Sequence, residues 1–256
     1  MPFSFTRQAF FITIALLATC LTSWSQSADE LMAKGNVFEA KFEGGEALKF
    51  YLPAEKLEPK NVKLLTRIAR AYRYQISDST KTSDKLRFGA LAVAYAERAA
   101  ALGPDNSDAQ LAVAISYGKL QPLVSSKEKV RTARIIRTQA DKAIQLDPRN
   151  DLAWHVLGRW KMGYAELTGL KRKLAEISYG ALPTPTYGDA ASCFEKAIAL
   201  KPERVLSYME LGQVYSAMGR TEDAKRLLNQ GLGLKQTDKE DPDMKQQGRE
   251  LLTKLR

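Results

Sequence analysis

The groups in this chain best suited to a defined chemical task are guanidinium groups. Arg70, Arg73 and Arg159 lie on segments that read as helices, at offsets that recur along the sequence. A guanidinium offers a planar fork of donors that suits a carboxylate or a phosphate. The chemistry expected of them is recognition of anions, not bond making. Residues that make bonds are scarce. His155 is the one histidine. A catalytic base needs a nucleophile or carboxylate within hydrogen-bond reach, and no Ser or Cys motif stands beside it. It reads as a groove or interhelix contact. Cys193, next to Phe194, reads as a small packing residue with no histidine to activate it. No catalytic residue, cofactor or metal site is expected. Gly44-Gly45 and Gly231-Leu-Gly233 lack the preceding strand and the Lys-Ser/Thr ending of a phosphate loop. Trp154, Trp160 and Tyr215 follow core spacing, so nucleic acid is not an expected partner. Lys127, Lys129, Arg131, Arg134 and Arg137 read first as one wet face of a long helix, and second as an anion-binding stripe.

The elements that must position these groups are helices. The chain has 256 residues, 45% of them hydrophobic and 27% charged, which is a folded and not a disordered composition. The 39 Lys and Arg against 29 Asp and Glu give a charge of +10, part of it solvated helix surface; such a balance attracts acidic peptides, anionic lipid or nucleic acid, and charge alone does not choose among them. Two cysteines exclude a disulfide scaffold.

Residues 1–27 read as an address. Arg7 precedes an apolar run from Ala9 to Leu17, and small residues follow at Ser23, Ser25 and Ser27. That is the pattern of a secretory signal, cut after Ser25 or Ser27, and it implies an exported, periplasmic protein. An uncleaved membrane anchor is the alternative, although the run is shorter than the roughly 20 residues that span a bilayer. Lipidation at Cys20 is a weaker match, because Thr19 precedes it. Removing Arg7 leaves 38 cations against 29 carboxylates, and Cys193 as the lone cysteine.

Residues 28–256 read as one repeat domain. Ala99-Ala-Ala-Leu-Gly-Pro104, Ala143-Ile-Gln-Leu-Asp-Pro148 and Ala197-Ile-Ala-Leu-Lys-Pro202 share one helix-ending phrase, with a weaker copy at Ala54–Pro59. Six residues after each proline a second pattern starts. It reads Leu65, Ile68, Ala69, Tyr72; Gln110, Val113, Ala114, Tyr117; Trp154, Leu157, Gly158; and Tyr208, Leu211, Gly212, Tyr215. A bulky, a branched and a small residue at helical spacing, with a helix-ending proline, resemble the tetratricopeptide repeat. The expected fold is an all-α tetratricopeptide-like superhelix of four to five helix pairs with enlarged inserts. Helices are expected near 28–41, 45–57, 60–76, 84–102, 107–121, 127–146, 150–166, 168–180, 187–200, 203–218, 221–234 and 242–255, the last one capping the stack. The prolines stand 45, 44 and 54 residues apart, not 34. The additions of 11, 10 and 20 residues fall between the two helices of each repeat. The third, Ala165 to Thr186, reads as an amphipathic helix with Lys171-Arg172-Lys173 on its polar side, stopped by Pro183 and Pro185.

Leu64-Leu-Thr-Arg-Ile-Ala-Arg-Ala71, His155-Val-Leu-Gly-Arg-Trp160, the insert ending Pro183-Thr-Pro-Thr-Tyr187 and the acidic turn Thr237-Asp-Lys-Glu-Asp241 resemble the regulator of microtubule dynamics family. The likeness covers about residues 28–256. It implies a tetratricopeptide-like domain without enzymatic activity. Eukaryotic members associate with microtubules, and some work at membrane contacts. This chain departs from them by its apparent secretory signal, as an exported bacterial relative would.

Repeat phasing turns Thr66 and Arg70, Leu111 and Ile115, His155 and Arg159, and Met209 and Gln213 toward one concave groove. Arg73, Met162 and Ser216 lie a turn further on. The expected function is a scaffold that binds a peptide or protein with acidic groups. A lipid or amphiphile with an anionic head, with the insert helix as lid, is the second reading. Microtubule regulation is the third. The arginines have a plainer alternative: they pair with acidic residues of neighbouring helices. The export reading gives the first testable outcome. The mature chain begins at Gln26 or Ala28 by mass spectrometry; an intact Met1 on a soluble cytoplasmic protein overturns it.

Overall fold

A computed structural model describes residues 27–255. The secretory-signal reading of residues 1–27 falls, but for Ser27, outside them. Twelve α-helices make up the described chain: α1 Ala28–Glu39, α2 Gly44–Leu57, α3 Val62–Asp78, α4 Thr82–Leu102, α5 Ser107–Leu120, α6 Ser126–Leu146, α7 Asp151–Ala165, α8 Gly169–Tyr179, α9 Tyr187–Leu200, α10 Val205–Ala217, α11 Thr221–Gly233 and α12 Asp241–Lys254. No strand is found among the described residues.

The starts of the first helices have a common cause. Asn61, Asn106 and Asn150 each stand two residues after a helix-ending proline. Each side-chain oxygen accepts the N–H three residues on, from Leu64 (3.0 Å), Ala109 (2.9 Å) and Ala153 (3.3 Å). That satisfies a donor which the helix itself leaves unpaired, and such a cap contributes about 1 kcal/mol. The fourth repeat departs: Arg204 stands at the cap and makes no such bond.

Helices pack in antiparallel pairs, α1 with α2, α3 with α4, α5 with α6, α7 with α9 and α10 with α11. The first helices then meet in series, α3 with α5, α5 with α7 and α7 with α10. Helix α12 closes the end: Met244, Leu251, Leu252 and Leu255 cover Val205, Met209 and Leu228. Two repeats share a polar detail at the same offset. Tyr117 donates to Glu97 and Tyr215 donates to Glu195, twenty residues earlier in each case.

The added residues of the first two enlarged repeats take a form that spacing alone does not reveal. They mainly lengthen the second helices, so that α4 and α6 each run 21 residues. The third addition is a separate helix, α8, none of whose residues is buried.

The close approach within each pair needs a small residue on the first helix. A Cβ on Gly158 would lie 2.8 Å from a ring carbon of Phe194, and one on Gly212 would lie 2.6 Å from a methyl of Leu228. Gly35 does the same for α1 against the ring of Tyr51, which makes α1–α2 a fifth pair. Overpacking of this kind costs about 1–3 kcal/mol. Gly212→Leu is therefore expected to lower the melting temperature by several degrees, and an unchanged transition would contradict this register.

A polar seam on the concave side

Successive first helices are stitched along their concave edge by side chains that the groove reading had turned toward a ligand. Thr66 is buried and donates to its own helix at the Val62 carbonyl, 2.9 Å away. Arg70 pairs with the buried Glu39 carboxylate at 3.1 Å, beside Arg67 at 2.9 Å. Glu39 also accepts from the Tyr51 hydroxyl at 2.7 Å. One carboxylate of α1 thus gathers two guanidinium groups of α3 and a phenol of α2. Arg73 is buried and donates to Ser116 of α5 at 3.1 Å. Burial and the neighbouring Arg70 pull its pKa down to about 10.

Further along, Leu111 and Ile115 pack with Ala143 and Ala153. His155 is buried, with Nδ1 3.1 Å from the Ser207 hydroxyl of α10 and its ring edge-on to Phe194. Burial first, then Arg159 and Arg204, hold His155 well below its ordinary pKa of 6.5, so the ring is neutral. Arg159 pairs at 3.1 Å with Glu210, whose carboxylate is almost wholly buried. Burial raises the Glu210 pKa, and Arg159 opposes the rise. Met162 packs against the cluster around Phe194 and Leu211. Met209 is fully buried, in contact distance of α11 and α12. Gln213 and Ser216 are half-buried.

The eleven residues therefore lie on consecutive first helices, but most of them join one helix to the next. Arg159 keeps an exposed head, at 60% of its side chain, and Arg70 is 42% exposed. Both face solvent while pairing with a buried carboxylate. The arginine pairing foreseen as the plainer alternative accounts for their contacts. Glu39, Ser116, Ser207 and Glu210 were not singled out from sequence, although each sits opposite a candidate residue on the adjoining first helix.

One contact crosses the stack. The loop between α11 and α12 reaches back to the first repeats. Glu240 pairs with Lys119 of α5 and accepts from Ser77 of α3 at 3.2 Å. Lys239 pairs with Asp78 at 2.5 Å and donates to the Phe42 carbonyl in the α1–α2 turn, 3.3 Å away. Asp241, fully buried, holds the loop in shape by accepting from the backbone of Thr237 (2.6 Å) and Asp238 (2.9 Å). The acidic turn is thus a clasp between the two ends of the superhelix. Among the described residues, no group of three His, Cys, Asp or Glu is placed to hold a metal.

The neutral, buried His155 makes stability depend on pH. Its folded pKa is depressed, so below about 6.5 the unfolded chain takes up a proton that the folded chain refuses. Stability is then lost as pH falls, at up to about 1.4 kcal/mol per pH unit. Glu210 acts oppositely, because its raised pKa favours the folded state in acid. Thermal melts from pH 7.5 to pH 5 are expected to fall less for His155→Gln than for the native chain. Equal slopes would show that His155 does not carry the effect.

Comparison with known proteins fits this architecture. Among solved structures, TTC0263, a thermophilic tetratricopeptide repeat protein of Thermus thermophilus, superposes with a TM-score of 0.64 at 16% identity, over 89% of this chain and all of the other. MamA from residue 41 of Desulfovibrio magneticus RS-1 gives 0.50 at 14% identity, over 81% and 94%. In sequence the chain is 28% identical over 231 residues to mouse regulator of microtubule dynamics protein 1, covering 89% of this chain and 74% of that one. It is 26% identical over 198 residues to mouse protein 2, covering 77% and 48%. The chain spans about half the length of the protein 2 relatives it matches. The profile of regulator of microtubule dynamics proteins 1-3 matches residues 24–256, and the chain belongs to that family.

Proposed function

We propose that this protein is a non-enzymatic scaffold whose concave side binds an extended acidic segment of a peptide or protein partner. The observation that supports this reading is the clasp. An acidic stretch of the chain itself lies against the first helices α3 and α5, its Glu240 carboxylate on Lys119 and Ser77. An external segment with the same Asp-x-Glu spacing meets the same cation and hydroxyl when the clasp lifts. Arg70 and Arg159, half-exposed and exposed, extend the cationic track on either side. Ile115, Gln213 and Ser216, all half-buried, line the stretch between and beyond them. Charge-assisted bonds of this kind contribute about 1.5–3 kcal/mol each and weaken in salt.

We read the protein as exported, on the strength of residues 1–27. A second reading, regulation of microtubules, has the family name as its support. It requires a cytosolic location, so the mature N-terminus decides between the two settings.

The test uses a labelled synthetic peptide copying residues 236–243 and fluorescence anisotropy. Glu240→Gln removes the charge on the resident carboxylate. The peptide is expected to bind that variant about tenfold more tightly than the native chain, and raised salt should weaken it. A peptide with lysine at each acidic position should not bind. Equal affinity of native chain and variant, or equal binding of the lysine peptide, would overturn the reading.

A further inference from the structure

Helix α8 carries a surface that the concave-side reading leaves unused. Leu170, Leu174 and Ile177 are 71%, 54% and 82% exposed. Their spacing of four and three residues sets them on one stripe of the helix. The apolar side of the insert therefore faces solvent, and the helix is no lid folded onto the groove. Yet α8 is not adrift. Arg172 turns inward and donates to the carbonyls of Leu182 (3.1 Å) and Pro183 (2.7 Å), and it pairs with Glu176 at 3.1 Å. These bonds tie the helix to the segment that follows it.

That segment forms one wall of a cleft of about 350 Å³, with Arg134, Arg137, Trp160 and Tyr164 opposite. Arg137 lies over the Trp160 ring, 5.0 Å from its centre, and pairs with Asp141 at 3.4 Å. Arg134 makes no ion pair among the described residues. Lys127, Lys129 and Arg131 precede it on α6, with Glu128 as the one acid among them. On α8, Lys171 and Lys173 are exposed beside the apolar stripe.

We propose that α8, together with the basic cleft between its exit segment and α6, docks this protein on an anionic membrane surface. The shape argues for a lipid surface over a peptide. A convex ridge of side chains has no groove to grip an extended chain, but it can enter the boundary between headgroups and acyl chains. The lysines beside the stripe then stand at the level of the lipid phosphates. The charge is complementary: cations outnumber acids on both α6 and α8. At eleven residues α8 is about 16 Å long and lies along the surface without crossing it. A single short helix holds weakly, so the α6 cations are needed as well, and the attachment is reversible and salt-sensitive.

The test is sedimentation of the full chain with vesicles of phosphatidylcholine, with and without phosphatidylserine. The native chain is expected to pellet with phosphatidylserine vesicles and to be released by salt. Phosphatidylcholine vesicles report any contribution of the apolar N-terminal run. Leu170→Ser/Leu174→Ser/Ile177→Ser, and separately Lys171→Glu/Lys173→Glu, should each lower the apparent affinity for the anionic vesicles about tenfold or more. All five side chains are exposed, so melting temperatures should stay at the native value. Either variant binding anionic vesicles as the native chain does overturns the proposal. So does a native dimer that the triple serine variant dissolves without any vesicle binding, which would make the ridge a contact between copies of this chain.

Discussion

The architecture rests on how closely two helices can lie. In each pair one position on the first helix must carry almost nothing, so that the partner can reach the backbone. Gly35, Gly158 and Gly212 meet Tyr51, Phe194 and Leu228 there, and fully buried Ala69 and Ala114 occupy the equivalent positions in α3 and α5. In α3, α5, α7 and α10 the large residues just before these positions, Ile68, Val113, Leu157 and Leu211, are then buried within the stack. The residues one step further on face the neighbouring first helix. The direction of every seam contact follows from that choice, from Arg73 on Ser116 to His155 beside Ser207.

Solvation and stability compete along the edge where successive first helices meet. A buried carboxylate such as Glu39 or Glu210 is costly unless a cation meets it. Arg70 and Arg159 meet that need with one part of the guanidinium and leave the rest in water. Replacing Arg159 would leave the buried Glu210 without its cation and lower stability, whereas Glu39 would keep Arg67 and the Tyr51 hydroxyl if Arg70 were replaced. The clasp residues are different. Lys119 and Glu240 are both partly exposed, and neither holds up the core.

Much of this was legible in the residues. Helix bounds, the pairing, the capping role of α12 and the position of α8 follow from local pattern, because prolines, asparagine caps and small residues act within a turn or two. The Pro-x-Asn spacing was available as well and marks three helix starts. The depth of the concave wall was not legible. Repeat phasing gives the direction of His155 or Met209 but not how tightly the next helix closes over it, and that depends on the curvature of the whole stack. The clasp was not legible either. Thr237–Asp241 stood out as an acidic turn, but Glu240 meets Lys119 across 121 residues and Ser77 across 163, and no local signal encodes such a meeting. For α8 the pattern announced an apolar side without saying that no helix would cover it.

A linear array of repeats behaves like a row of coupled two-state units, with each unit held only by its neighbours. Its ends are the places where it frays. Here the last loop grips the first three helix pairs through Phe42, Ser77, Asp78 and Lys119, so the row is joined into a ring. Loosening of α1–α3 then removes support from α12, and loss of α12 exposes the ends of α3 and α5. The weakest units of the array become partners in a single cooperative step, and a ligand that prises the clasp apart would soften both ends of the molecule at once.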